Sequence, residues 1–272
     1  MPYGLTLDRV KEINRPAPVA AAWGSVTSCT EMAEYALYRI DLHAGAAQPL
    51  HFHPGAGGEF FLESGEVLVR SLDKEGGVQA AMLRRGEVLP VMPFAVHGFA
   101  SAAPAILYLF VARAQPGLEF IPVETAEAAA ASFAALARTN ARIGRATTDQ
   151  REKYWGRIET IVDGDVAGKR MFVHKGGQSS LEFHVEKRET YFIHSGRLKV
   201  GLRIGRAENH SVTLGPGESY DIRPGLMHMR IALEDTVIIE VSTRDSDADS
   251  FLVEDGQTYR HVEAGDHGKT ER

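Results

Sequence analysis

Cysteine is all but missing: Cys29 is the single thiol, so no disulfide can form within the chain and a disulfide-stapled secreted scaffold is excluded. Long apolar runs are missing as well. No stretch approaches the length needed to cross a bilayer, and the opening MPYGLTLDRVKEINRP lacks the apolar core of a secretory leader. The expectation is a cytoplasmic protein with no membrane partner. Positive charge is in deficit, with 30 Lys and Arg against 36 Asp and Glu and a net charge of −6. That balance supplies no basic surface for nucleic acid, and no helix-turn-helix pattern stands beside it. Glycine-rich segments such as Gly55–Gly58 lack the Lys-Ser/Thr of a phosphate loop, and no nucleophilic Ser or Cys constellation is present.

What is there is a duplication. His53 and His184 lie 131 positions apart, and so do Gly65 and Gly196, Gly86 and Gly217, Pro93 and Pro224, and His97 and His228. His43 and His174, Ser64 and Ser195, and Glu87 and Glu218 keep the same offset. The only two tryptophans open the copies, as Trp23-Gly24 and Trp155-Gly156. Short segments in each copy alternate apolar and polar residues, as half-buried strands do. Examples are 36–42, 66–71, 78–83, 87–92 and 105–112, then 170–174, 190–194, 197–203, 210–214, 219–223 and 237–242. Many short strands at even spacing predict a small antiparallel barrel or jelly roll. Between the copies, the alanine-rich stretch 124–146 predicts a helix, taken as a connector packed on a barrel rather than a dimerisation helix. The expected domains are a first barrel over 1–120, a helical connector over 121–150, a second barrel over 151–256 and a polar, frayed tail over 257–272.

Each copy carries two blocks. The first copy reads GAAQPLHFHPGAGGEFFLESG and GEVLPVMPFAVH; the second reads GGQSSLEFHVEKRETYFIHSG and GESYDIRPGLMH. An H-x-H or E-x-H with a downstream Gly, followed by Gly-Glu, Pro and His, resembles the two motifs of the cupin superfamily. The resemblance implies an all-β fold of two tandem cupin (double-stranded β-helix, jelly-roll) barrels, each able to hold a metal ion. It also implies pairing into a homodimer through barrel edges. The second copy is similar to the cupin domain of type II phosphomannose isomerases through Tyr154-Trp155-Gly156, Gly177 to Leu181, His184, Glu189 and Ser195-Gly196. That family commonly has Gln at the position of Glu182, Arg at Lys187 and Trp at Tyr191.

In the second copy Glu182 and His184, two apart on a strand, face one side, while Glu189 and His228 come from neighbouring strands. Two carboxylates and two imidazoles suit a divalent transition metal (Zn, Fe, Mn or Ni), one or two per chain when both barrels are counted. Such a site can isomerise a sugar or sugar phosphate through an enediol. Glu182 or Glu189 is the candidate base and Lys199 a weaker one. Lys187, Arg188, Arg223 and Arg230 are candidate anchors for a substrate phosphate or carboxylate. In the first copy His51, His53 and His97 take the matching positions, but the fourth falls on Gly58. Either a bulge brings Glu59 inward as a ligand, or the site is three histidines alone, the donor set of the superfamily's iron dioxygenases. A small molecule is the expected partner. Isomerase, dioxygenase and non-catalytic ligand-binding bicupin are the functions to be separated.

Overall fold

The structure, a computed structural model, describes residues 6, 9–54, 57–72, 75–112, 118–136 and 142–263. The chain divides into two compact units, Ala17–Thr148 and a second made of Asp149–Arg272 with Met1–Pro16. The leading segment, which the sequence assigns to the first barrel, therefore packs with the second. Val10 is buried in the second unit's core, its carbonyl accepts a hydrogen bond from the Tyr220 hydroxyl, and Asn14 bridges to Ser219.

Each unit is a pair of antiparallel sheets with an apolar core between them. In the first unit, Val19–Ala21, Gly24–Glu31, Tyr35–Leu42, Ala105–Ala112, Gly58–Ser64, Glu87–Val91 and Arg145–Ala146 follow one another across one sheet. The other runs Ile121–Pro122, His51–Phe52, His97–Ser101, Glu66–Leu72 and Val78–Arg84. The second unit repeats the plan. Asp149–Lys153, Gly156–Val162, Val166–Val173, Thr236–Thr243, Glu189–Ser195 and Ser219–Ile222 form one sheet. His210–Leu214, Leu198–Arg203, Met227–Ala232, Leu181–Phe183 and Phe251–Glu254 form the other.

Period-two alternation fills the cores. Leu198, Val200 and Leu202 point in from one sheet and meet Met171, Tyr191, Ile193 and Ile238 from the other. In the first unit Val67, Val69 and Phe99 meet Tyr38, Ile40, Phe60 and Leu107. The repeated Trp-Gly pairs have a steric cause. A Cβ on Gly24 or Gly156 would overlap the carbonyl oxygen of Asp41 or Phe172 on the partner strand. His43 and His174 stand outside both centres: the backbone N–H of each donates to the carbonyl of Trp23 or Trp155, and both side chains are exposed.

The connector helix is shorter than expected, Ala126–Leu136. Thr125 caps it, accepting from the Ala128 N–H, and Ala129 and Phe133, four apart, bury one face in the first unit. Arg145–Ala146 is a strand on Glu87–Val91, while 137–141 lie outside the described residues. The tail through Glu263 is not frayed. His261 binds the His210 carbonyl, Asn209 donates to the Tyr259 hydroxyl, and Glu263 accepts from Ser211. No helix among the described residues is long and apolar enough to cross a membrane.

Candidate metal centres

Strand pairing assembles both centres. His51 lies opposite His97, and Glu182 lies opposite His228, on antiparallel neighbours. His53 and His184 follow two residues later on the same chain segment. His51, His53 and His97 place ligand atoms within 4.8 Å of one another, and so do Glu182, His184 and His228.

All five imidazoles are oriented by one device. Nδ1 of His51, His53 and His97 lies 2.9, 2.8 and 2.9 Å from the carbonyls of Pro49, Glu119 and Ala95. Nδ1 of His184 and His228 lies 2.8 and 3.1 Å from the carbonyls of Asp249 and Leu226. With Nδ1–H donating outward, each Nε2 lone pair faces the centre, as metal-ligating histidines are held. Nε2 of His51, His53 and His97 is buried with no hydrogen-bond partner. Three converging orphaned acceptors fit a cation. Burial pushes the His51 imidazole down to about 3 and His97 to about 4, and lowers His53 as well. All three are therefore neutral at pH 7, the form that binds metal.

Glu59 is not a fourth ligand. The strand Gly58–Ser64 is regular at its start, with Gly58, Glu59 and Phe60 facing Val91, Pro90 and Leu89. Phe60 points inward beside His97, so Glu59 points outward and pairs with Arg145. Phe120 instead covers the imidazoles, with its ring 4.9 Å from His51 and 4.8 Å from His53.

The second centre is more polar. Glu189 is buried at its floor, with Oε1 2.9 Å from His228 Nε2 and Oε2 3.8 Å from His184 Nε2. Burial opposes a charged His228, but the Glu189 and Glu182 carboxylates outweigh it and raise its pKa, so a cation at Nε2 would take the place of a proton. Lys187, 4 % exposed at its side chain, lies 2.6 Å from Glu189, 2.9 Å from Glu240 and 3.0 Å from Asp245. Burial opposes the Glu189 carboxylate, but the Lys187 ammonium and the two imidazoles outweigh it and hold Glu189 well below the usual range. Burial likewise opposes Lys187, and its three carboxylates outweigh it, so it stays charged.

Arg230 ties the wall together. It donates to Glu182 and to the Tyr191 hydroxyl, each at 2.9 Å, lies over the Trp155 ring, and Tyr191 donates on to Glu189. Burial raises the Glu182 carboxyl, but Arg230 and His228 prevail and keep it ionised. Its second oxygen accepts from Ser250. These groups open on a cavity of about 240 Å³, whose walls include Lys153, Lys169, Ser179 and Ser180.

Of the expected anchors, Lys187 and Arg230 line this cavity and two do not. Arg188 pairs with Asp221 through both nitrogens, and Arg223 pairs with the same carboxylate. Lys199 is also corrected. It points away from the core, between inward Leu198 and Val200, and pairs with Glu263. Sequence reasoning missed Glu240, Asp245, Asp249 and Ser250. A lone acid inside VIIEVS was the available signal for Glu240. Asp249 binds the N–H groups of Val185, Glu186 and Lys187 and so shapes the loop ahead of Glu189.

No family model matches the chain. Germin-like protein 3-1 of Oryza sativa subsp. japonica is 34% identical over 90 residues, 32% of this chain; the chain spans 40% of that relative's length. Among solved structures, oxalate decarboxylase of Lactobacillus farciminis in a formate complex is similar at TM-score 0.65 and 15% identity, over 88% of this chain and 86% of that one. Bacillus subtilis oxalate decarboxylase, solved in a study of its Mn(II) centres, is similar at TM-score 0.66 and 13% identity, over 88% and 77%. Identities this low speak to fold. The chain has the all-β fold of a two-domain bicupin, with two groups of side chains suited to one or two divalent metal ions.

Proposed function

We propose that the second unit is a metal-dependent enzyme centre for a small polar metabolite, and that its reaction is isomerisation of a hydroxy-carbonyl compound such as a sugar or sugar phosphate. The observation that carries this is the join of donors and cavity: His184, His228 and the Glu189 carboxylate converge with Glu182 beside them, and Lys153, Lys169, Arg230 and four serines line the same small space. Hydroxyls and charges of both signs in one small cavity suit a polyhydroxylated polar ligand. A divalent ion held there supplies Lewis acidity toward a carbonyl oxygen and its neighbouring hydroxyl.

The chain's own residues then divide the work. Glu189, sealed by Lys187 and Tyr191, sets the two imidazoles. Glu182 faces the cavity, is ionised at neutral pH, and can take a proton from one carbon and return it to the next. Arg230 holds Glu182 in place. The test is a panel of aldose and ketose phosphates with added divalent ions, followed by solvent-deuterium incorporation. Absence of both interconversion and exchange in metal-loaded protein would sink the isomerase reading. Glu182→Gln should keep the metal and lose exchange; loss of the metal would make Glu182 a ligand and place the base elsewhere.

A second reading concerns the first unit. Three neutral imidazoles without a carboxylate form a donor set compatible with a non-haem iron dioxygenase. Anaerobic reconstitution with ferrous iron and oxygen-uptake assays on thiols, diketones and hydroxylated aromatics test it. Silence in both panels, with ligand-induced thermal stabilisation, would favour a non-catalytic binding protein. Homodimer formation is checked by light scattering.

A further inference from the structure

The duplication places two cavities at matching positions and gives them opposite chemistry. In the second unit Trp155, Ser179, Ser180, Glu182 and Ser250 line the polar cavity. In the first, Trp23, Gln48, Pro49, His51 and Phe120 occupy the corresponding places around a cavity of about 470 Å³. The correspondence of Phe120 with Ser250 is geometric. The preceding residue in each case, Glu119 or Asp249, receives the imidazole Nδ1 of His53 or His184. Where the second unit sets a hydroxyl on a carboxylate, the first sets a phenyl ring on imidazoles.

The remaining walls of the first cavity are small or apolar residues, among them Ala46, Pro122 and, from the connector helix, Ala126 and Ala130. No charged side chain lines it among the described residues. One polar side chain besides His51 does. Gln48 is 1 % exposed, and neither its Oε1 nor its Nε2 has a hydrogen-bond partner. A buried primary amide with both ends unmet is costly unless something enters to meet it. An amide offers one acceptor and two donors side by side, so its complement presents a donor and an acceptor together.

We propose that the first unit binds a flat apolar ligand, aromatic or alicyclic, that carries one uncharged amide-like group, with Gln48 pairing to that group and Trp23 and Phe120 packing on the ring. The walls of this site are thus largely apolar where its duplicate's are charged. The inference does not depend on the reaction assigned to the second unit.

The experiment uses the full chain loaded with zinc, which is redox-inert, and calorimetric titration with 2-naphthamide and with 2-acetylnaphthalene, an uncharged near-isostere that lacks the amide N–H groups. The amide should bind at least about tenfold more tightly than the ketone. Gln48→Met, similar in shape and lacking the amide, should lose about tenfold for the amide. Ala130→Trp, a change at an exposed helix position, should fill the cavity and abolish binding without lowering the melting temperature. Equal binding of amide and ketone, or binding unaffected by Gln48→Met, overturns the role of Gln48. Binding that survives Ala130→Trp places the ligand elsewhere. Sugar phosphate turnover at the second unit is measured on the same variants and should not change, which keeps a failure here separate from a failure of the isomerase reading.

Discussion

Replacing Lys187 by Met removes the single ammonium that three carboxylates share. Lys187, Glu189 and Glu240 are 4 %, 1 % and 2 % exposed at their side chains, so solvent does little to screen them. Taking one partner from a buried ion pair costs about 3–5 kcal/mol, because the remaining charge is left without compensation. Lys169 remains 3.6 Å from Glu240 and 2.7 Å from Asp245, which places the expected loss at the lower end, about 3 kcal/mol. The assay is urea unfolding of metal-free protein at pH 7, read by tryptophan fluorescence. The pH dependence has a definite sign. In the wild type Glu189 is held well below its ordinary pKa, so it contributes stability above the unfolded value, and that stability is lost as pH falls through the folded pKa. In the variant, burial acts without its counterweight and raises the Glu189 pKa. Lowering pH then protonates Glu189 and relieves the strain, so the gap between variant and wild type narrows from pH 7 to pH 5. A divalent ion bound beside Glu189 should narrow it further. A loss below about 1 kcal/mol at pH 7, or a gap that widens in acid, would refute the account of Lys187 as counter-charge.

Four further outcomes are expected. His53→Ala and His184→Ala should each lower metal content by one equivalent per chain in elemental analysis, if each unit holds its own ion. Glu59→Gln should leave first-unit metal content unchanged and cost under about 1 kcal/mol, because its partly exposed pair with Arg145 is outside the centre. Burial raises the Asp245 carboxyl, but Lys187 and Lys169 outweigh it and hold it at about 2; Asp245→Asn should therefore lower stability above pH 4 and flatten its decline between pH 4 and pH 2 in acid titration followed by circular dichroism. Gly196→Ala should cost about 1–3 kcal/mol in thermal unfolding, since φ is +83° and a Cβ would overlap the Asp235 carbonyl.

Much of the fold was legible from local pattern. A side chain's face follows from counting by two, so alternation located the strands and paired Glu182 with His184. The strands Gly58–Ser64 and Gly156–Val162 gave no period-two signal, because they bury successive residues and not alternate ones. Helix propensity overstated the connector: Arg145–Ala146 satisfies its backbone on a sheet edge instead.

By itself, the chain's order of residues determined the duplication, the jelly-roll class and the histidines of both centres, because a constant offset and a period of two are properties of one strand at a time. Tertiary structure alone decided which charges face those centres. Arg230 and Arg188 look alike in sequence, yet one is sealed against Glu182 and the other is spent on Asp221. Glu59 and Glu189 sit one register position apart and face opposite ways. Phe120 and Ser250 reach the centres from segments 66 or more residues beyond the ligands they cover. The reason is physical: alternation fixes a side chain's direction relative to its own strand, while the strand or loop that lies across from it is chosen by packing between distant parts of the chain.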